Sequence, residues 1–203
     1  MPKKVDHTKR REGIAKAAFA VIARDGIAGA TLRAVADEAN TSSALLMHYI
    51  KSKDELLLEA HSYVVDMVLD RMVAAEKRYT GVEALRRVLW EALPLDKKSE
   101  DIFKVWLGFW EMSAQSAPVR LLLNRLYRES NARFARIIRH AQELGEVPKT
   151  IDVEMTAWEA TILVDGIGAH IVGGGQKFSV AEKKRLVDHW IERMMAPQKP
   201  RAR

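Results

Sequence analysis

Residues 31–50 carry side chains of the types that contact DNA, at the spacing of two short helices joined by a tight turn. Thr31 and Ser42 are suited to cap these helices, because each hydroxyl can accept from the free N–H groups of a first turn. Asn40 lies where the chain must turn, and asparagine tolerates the positive φ that a sharp helix exit often needs. The segment therefore predicts a helix-turn-helix, whose second helix lies in the major groove of DNA.

The outer face of the second helix would present small polar, aromatic and basic groups to base edges and phosphates, while Leu45 and Leu46 face inward. Arg33, in the first turn of the leading helix, either reads a guanine edge or contacts phosphate alone. Ser43 and Ala44 either meet base edges or serve only to start the helix. The predicted DNA-binding residues are Thr31, Arg33, Ser42, Ser43, Ala44, Met47, His48, Tyr49 and Lys53.

The basic charge of the chain is concentrated in the same region. Residues 1–53 contain ten Lys/Arg and five Asp/Glu, a balance of +5, whereas the whole chain holds 33 against 27 and a net charge of +6. This is the electrostatic footprint of a phosphate-binding module joined to a nearly neutral one. An ordinary helical hairpin with a solvated face would explain the apolar spacing but not the charge. The cations expected to form a flexible basic arm, or only a solubilising tail, are Lys3, Lys4, Lys9, Arg10 and Arg11.

A second group of residues is suited to bind a small cation. Residues 102–112 are apolar nearly all round, so the helix that they form must be central. Aromatic faces attract a quaternary ammonium ion, and a nearby carboxylate would balance its charge. Each aromatic residue, taken alone, is more simply explained as part of the hydrophobic core. Asp165 is more simply explained by an ion pair or a hydrogen bond within the protein. The candidate effector-binding residues are Trp90, Trp106, Phe109, Trp110 and Trp158, with Glu111 or Asp165 as the carboxylate.

Small residues near the end of the chain favour close helix packing. They predict a homodimer through the last two helices, since a single helix-turn-helix binds too weakly for specific recognition and two would meet half-sites one turn apart. The alternative is that the same face packs inside one subunit. The residues of this predicted seam are Gly166, Gly168 and Ala169, with Val187, Trp190, Ile191 and Met194 of the last helix.

Several classes of protein are disfavoured by what the sequence lacks. There is no cysteine, the six histidines are scattered, and no zinc-protease, nucleophile-elbow or dinucleotide motif is present. The run Gly173-Gly-Gly-Gln follows no strand and is expected to be a helix stop and loop. We therefore expect neither an enzyme nor a cofactor or metal site. With no secretory signal and no apolar run of about 18 residues, the expected location is the cytoplasm. A helical adaptor without sequence-specific DNA binding is the main rival, but it leaves the basic quarter unexplained.

Residues that cap or stop helices recur along the chain, and strand patterns are nearly absent. The sequence therefore predicts an all-α fold of about nine helices. Residues 1–52 would form the DNA-binding domain with its arm, 53–196 an effector-binding and dimerisation domain, and 197–203 a disordered tail. The long fourth helix, 53–78, would transmit the effector signal. The predicted helices span about 8–25, two short segments within 31–50, then 53–78, 80–93, 99–113, 118–143, 152–173 and 179–195.

The N-terminal quarter resembles the tetracycline-repressor (TetR) family of bacterial transcription regulators. The match rests on a basic arm and a helix followed by ATLRAVADEANTSSALLMHYIKSKDELLLEA. Members typically have a Gly-Val-Ser turn, a leucine, an aromatic-His-Tyr-Phe cluster and a lysine that starts the fourth helix. The corresponding residues here are Asn40-Thr41-Ser42, Leu46, Met47-His48-Tyr49-Ile50 and Lys53.

The rest of the chain resembles the choline-responsive betaine-synthesis repressors of the same family. The matching segments are KVWLGFW at 104–110, RLLLNRLY at 120–127 and LVDGIG at 163–168. The resemblance implies an all-α homodimer that binds an inverted-repeat operator in double-stranded DNA and represses transcription. It also implies release by a small-molecule effector, with a choline-like quaternary ammonium as the candidate.

Overall fold

The computed structural model describes residues 7–175 and 177–196, which form nine α-helices and, within those ranges, no strand. The all-α prediction is confirmed. Lys3 and Lys4 of the predicted arm, Gln176 of the predicted loop and the predicted tail 197–203 lie outside the described residues. The helices are α1 His7–Gly29, α2 Leu32–Glu38, α3 Ser43–Tyr49, α4 Lys53–Arg78, α5 Gly81–Glu91, α6 Lys97–Gln115, α7 Ala117–Glu143, α8 Val153–Gly168 with a π-helical turn Ala169–Gly173, and α9 Val180–Met195.

Side-chain caps fix the boundaries of the short N-terminal helices. Thr31 Oγ1 accepts from the backbone N–H of Ala34 at 3.1 Å, and Ser42 Oγ accepts from that of Leu45 at the same distance. Asn40 has a φ of 49°, as predicted for the residue between the helices. Each cap satisfies a backbone donor that a helix start leaves unpaired, so α2 and α3 begin where the sequence indicates.

Two helices differ from their predicted bounds. α6 begins at Lys97 rather than 99, because Asp96 accepts from the Ser99 N–H at 2.7 Å and Ser99 Oγ accepts from the Asp96 N–H at 2.9 Å. This reciprocal pair is a capping box one turn earlier than expected. α1 does not stop at Gly26, which adopts a φ of 73° and kinks the helix before it continues to Gly29.

Three of the five cations of the predicted basic arm are helical. Lys9, Arg10 and Arg11 belong to α1. Arg11 is tied to α4 through ion pairs with Glu55, at 3.1 Å, and with Glu59. Arg11 is thus a structural link between two helices and not part of a flexible arm.

Two of the three buried clusters of the described residues contain buried side chains of α4. The first cluster joins α1, α2 and α3 to the N-terminal half of α4, with Val21, Val35, Leu46 and Leu56 fully buried. The second joins α5, α7, α8 and α9 to the C-terminal half of α4. No helix in the described part of the chain is long and apolar enough to cross a membrane.

The apolar stripe of α9 packs within its own subunit. Val187 and Ile191 are fully buried in the second cluster, and Met194 is nearly so. Gly168 makes room for Phe103 of α6, whose ring would lie 2.1 Å from an added Cβ atom. The predicted dimer seam is therefore wrong for Gly168, Val187, Ile191 and Met194, which are buried within the subunit. Gly166, Ala169 and Trp190 are half-buried, and their place in a seam stays a prediction. The large apolar side chains that remain exposed on the last two helices are Met155, Trp158, Ile162, Val180, Leu186 and Met195.

Candidate functional site

The outer face of α3 is open to solvent. Ser43, Ala44 and His48 are exposed, and Met47 is 50 % exposed, while Leu46 is buried beneath them. This leaves a row of small, polar and aromatic groups on a short helix, as required of a helix that enters a groove.

Leu45 was expected to face inward, and this prediction is wrong: the side chain is 42 % exposed. α3 has only two turns, and Leu46 and Ile50, four residues apart, already fill its inward stripe. Leu45 is rotated by about 100° from Leu46 around the helix and so meets solvent.

The end of α3 is held by aromatic and basic contacts. The half-buried ring of Tyr49 lies 5.5 Å from His7 of α1 and 5.5 Å from the edge-on ring of His48. Lys51 donates from Nζ to the carbonyl oxygens of Met47 and His48 at 3.0 and 3.1 Å. A cation on the last carbonyls of a helix stabilises its C-terminus, so the orientation of Tyr49 and His48 is fixed by local contacts.

Two cations flank α3 on neighbouring helices. Arg33 is exposed on α2 and forms no ion pair with any of the described residues. Lys53 is exposed at the start of α4, where its Nζ donates to the carbonyl of Ala28 at 3.4 Å. Arg24, by contrast, is paired with Asp25 at 3.0 Å and with Glu38 at 2.8 Å. The surface of α2, α3 and the first turn of α4 therefore keeps positive charge available for phosphates.

A cavity of about 210 Å³ lies between α4, α6, α7 and α8. Its walls are mainly aliphatic and aromatic, and its polar groups are few. The lining residues include Val64, Val65, Val68, Leu69 and Met72 of α4, Ile102, Phe103 and Trp106 of α6, Leu126, Tyr127, Glu129, Ser130, Arg133 and Phe134 of α7, and Thr161, Val164 and Asp165 of α8.

Asp165 places a carboxylate in the wall of this cavity. Tyr127 Oη donates to Asp165 Oδ2 at 2.8 Å and accepts from Trp110 Nε1 at 2.8 Å. Burial raises the pKa of Asp165 to about 6, although Tyr127 and Trp106 both favour the ionised form. Burial and the adjacent carboxylate also raise the pKa of Tyr127, so its hydroxyl remains a donor. At pH 7 the site thus holds a mainly ionised carboxylate, with no Lys or Arg paired to it in the described part of the chain.

Aromatic rings surround the Tyr127 phenol beside this carboxylate. Trp106 is edge-on to Tyr127 at a centroid distance of 6.0 Å, and Trp158 is tilted against it at 6.3 Å. Trp106 Nε1 is buried near Asp165 but makes no hydrogen bond of ordinary geometry. A negative charge beside indole and phenol rings, in a largely apolar cavity, is the environment that attracts a quaternary ammonium ion.

Residues 81–196, more than half of the chain, match the family described as BetI-type transcriptional repressor, C-terminal, and residues 14–60 match the bacterial regulatory proteins of the tetR family. The chain belongs to the BetI-type repressors of the TetR family. It is therefore a DNA-binding transcriptional regulator and not an enzyme, in agreement with the prediction from sequence.

Similar proteins span nearly the whole of this repressor. The HTH-type transcriptional regulator PksA of Bacillus subtilis is 28 % identical over 95 % of this chain and 93 % of its own length. The HTH-type transcriptional regulator BetI of Paraburkholderia phymatum is 26 % identical over 97 % of this chain and 98 % of its own. A transcriptional regulator from Saccharomonospora viridis, crystallised in complex with choline, is 30 % identical, covers 91 % of this chain and 96 % of its own, and has a TM-score of 0.83.

The repressor brings together some of the predicted effector residues. Trp106 and Asp165 line the cavity, and Trp110 reaches it through its hydrogen bond to Tyr127. Trp158 lies at the outer side of Tyr127 and is 43 % exposed. Phe109 is buried behind the cavity wall.

Two predicted effector residues lie elsewhere. Trp90 is on the outer side of α5, where Arg87 lies 4.7 Å and Lys184 4.4 Å from its ring, so its aromatic face is already occupied. Glu111 is exposed on α6, since it follows Trp110 and is turned by about 100° away from it. Neither residue lines the cavity.

Tyr127 is the main cavity residue that was missed. It lies within the segment 120–127 but was not a candidate, because nothing local pairs it with Asp165, 38 positions later. One signal was available, since a tyrosine on the inner stripe of a helix needs a hydrogen-bond partner for its hydroxyl. The repressor supplies two, Trp110 and Asp165.

Two helices connect the cavity of the repressor to the helix-turn-helix of α2 and α3. α4 begins at Lys53 and lines the cavity with residues from Val64 to Met72. α6, which carries Trp106, contacts the kinked end of α1. Lys104 Nζ donates to the carbonyl of Ala23 at 3.1 Å, and Ile27 packs where Gly108 has no side chain.

Proposed function

We propose that this repressor binds an inverted-repeat operator as a homodimer and is released from it by a quaternary ammonium ion such as choline. The observation that carries the proposal is the mainly ionised carboxylate of Asp165, held without a paired cation beside Trp106 and Tyr127 in a cavity whose walls are mainly apolar. A buried charge is costly unless it is paired, so a small cation is the complement that this cavity lacks.

The size of the cavity supports a small effector. An apolar cavity of about 150 Å³ holds one benzene molecule, so a cavity of about 210 Å³ accommodates about eight non-hydrogen atoms. This is one more than choline contains.

The relative from Saccharomonospora viridis adds independent support, because its crystal structure contains choline. Aromatic faces stabilise a quaternary ammonium ion by about 2 kcal/mol or more when water is excluded. With Asp165 as the counter-ion, the cavity supplies both the charge and the rings that such a ligand needs.

On the DNA side, we propose that the exposed residues of α2, α3 and the start of α4 contact the operator. Ser43, Ala44 and Arg33 would face base edges, and His48, Tyr49 and Lys53 the phosphates. Thr31 and Ser42 use their oxygens as caps, which leaves their hydroxyl hydrogens to donate to phosphate. Met47 would add an apolar contact in the groove.

We also propose that the last two helices form the dimer interface, with residues other than the predicted ones that are buried within the subunit. Met155 and Ile162 are 59 % and 65 % exposed along one face of α8, and Leu186 is 40 % exposed on α9. Exposed apolar side chains grouped in this way mark an interaction surface.

The domain division follows from these roles. Residues 1–52 would bind DNA and residues 53–196 would bind the effector and the partner subunit, with α4 transmitting the signal by a change of tilt. Because the proposed target is chromosomal DNA, we place the protein in the cytoplasm.

Calorimetric titration with choline tests the effector proposal. Trp106→Leu should weaken choline binding about 30-fold, which corresponds to the loss of about 2 kcal/mol of cation–π attraction. Trp90→Leu is the matched control and should leave the affinity unchanged, because Trp90 lies outside the cavity. The absence of heat from the wild-type protein at millimolar choline would remove the proposal.

A further inference from the structure

A pair of buried polar side chains adjoins the effector cavity beside Asp165. Thr161, which lines the cavity, lies with its Oγ1 2.8 Å from Asn131 Oδ1 and 3.2 Å from the carbonyl oxygen of Ala157. Both side chains are more than nine-tenths buried. Such a pair in an apolar wall is costly unless all of its groups are paired.

The pair does not satisfy itself. Asn131 Nδ2 is buried and has no hydrogen-bond partner among the described residues. A rotation of the amide by about 180° would leave the carbonyl oxygen unpaired instead. Buried polar groups without partners are uncommon, so this pair has unused hydrogen-bonding capacity beside the cavity.

The position of Thr161 relates it to the cation site. It precedes Asp165 by four residues on α8, so the two lie on the same face and about 6 Å apart along the helix axis. A ligand whose ammonium group lies against Asp165 and Trp106 would extend its remaining atoms along this wall.

We infer that Thr161, oriented by Asn131, accepts a hydrogen bond from a hydroxyl group of the effector and so makes the cavity selective for hydroxyl-bearing quaternary ammonium ions. The inference rests on the proposed function. The hydrogen of Thr161 Oγ1 is used on Asn131 or Ala157, while a lone pair of the same oxygen remains able to accept. A ligand carboxylate has no hydrogen to donate and would be repelled by Asp165.

Other polar groups of the cavity are less suited to this role. Arg133 is ion-paired with Glu76, and Glu129 with Arg125 at 2.8 Å. Ser130 lies on α7, on a different wall from Thr161. Its side chain carries the other aliphatic hydroxyl of the cavity lining, which could accept a hydrogen bond from the ligand in the same way. Ser130→Ala is therefore the control substitution.

The test compares choline with propyltrimethylammonium, in which a methyl group replaces the hydroxyl, by calorimetric titration of the full chain. Wild-type protein should prefer choline about tenfold, the worth of one hydrogen bond. Thr161→Val should abolish this preference, because it weakens the binding of choline and leaves the affinity for propyltrimethylammonium unchanged. Thr161→Ser should retain the preference, which separates loss of the hydroxyl from loss of folding. Ser130→Ala should also retain it.

Each alternative result is decisive. Equal affinities of the wild-type protein for the two cations would overturn the hydroxyl contact and leave the effector proposal standing. Persistence of the preference in Thr161→Val, or its loss in Ser130→Ala, would assign the hydroxyl to another group. If neither cation bound the wild-type protein, the proposed function and this inference would fail together.

Discussion

The proposed DNA-binding surface and the proposed effector cavity are built in opposite ways. The surface uses residues from one short stretch, 31–53, and keeps its charges in water. The cavity draws on four helices from Val64 to Asp165 and holds its carboxylate in an apolar wall. Each solvent-exposed charge contributes little and is screened by salt, so such a surface needs many of them. A single buried charge interacts strongly and is screened much less. The two sites should therefore respond differently to salt, pH and substitution.

The dependence of binding affinity on salt concentration should differ most between the two sites. Six to ten phosphate contacts per dimer would reduce operator affinity by about 10³–10⁵ between 50 and 200 mM salt. Choline binding should change far less over the same range, because a buried charge is poorly screened. Fluorescence anisotropy and calorimetry measure the two affinities. A flat salt profile for the operator would contradict the assignment of the basic surface.

A single carboxylate should decide choline binding. Asp165→Asn should weaken the affinity for choline about 100-fold, because it removes one partner of a buried charge pair. Glu111→Gln is the control, because Glu111 is exposed and away from the cavity. Equal effects of the two substitutions in a calorimetric titration would rule out Asp165 as the counter-ion.

The same substitution should stabilise the empty protein. The pKa of Asp165 is about 6 when folded, against an ordinary value of 3.8, so folding favours the protonated form. Its contribution to stability is full below pH 3.8 and is lost as pH rises through 6. Asp165→Asn should therefore raise the free energy of unfolding at pH 8 by up to about 3 kcal/mol, the equivalent of this pKa shift. Denaturant unfolding at pH 8 and pH 4 measures this, and an equal gain at both values would exclude the ionised carboxylate as its cause.

Acid should weaken choline binding. The cation binds the ionised carboxylate, so affinity should be level between pH 7 and 8 and fall towards tenfold per unit below a pH of about 6. His61, behind the cavity wall, does not interfere, because burial lowers its pKa to about 3. Asp165→Asn should give a flat profile. A wild-type profile that is equally flat from pH 5 to 8 would contradict the role of Asp165.

The contrast between the sites also explains what the sequence could reveal. Caps and turns depend on neighbouring residues, so Thr31, Asn40 and Ser42 were placed correctly from local patterns. Leu45 was misplaced because an apolar residue on a two-turn helix does not indicate whether the inward stripe is already full.

The cavity was predicted only in part, since its residues meet through tertiary packing. Trp106 and Asp165 were selected by residue type, as were Trp90 and Glu111, and nothing local distinguishes the two pairs. Tyr127 was missed for the same reason. The apolar stripe of α9 was likewise assigned to a partner subunit, because periodicity predicts a buried face but not which surface covers it.

An effector bound at Asp165 is expected to control DNA binding through the helices that connect the two sites. The most direct test measures the affinity for DNA upstream of the protein's own gene, with and without saturating choline, by fluorescence anisotropy. Choline should weaken binding of the wild-type protein about 5–150-fold and leave Asp165→Asn unaffected. The same operator affinity with and without choline, in a wild-type sample that calorimetry shows to be choline-bound, would contradict the account.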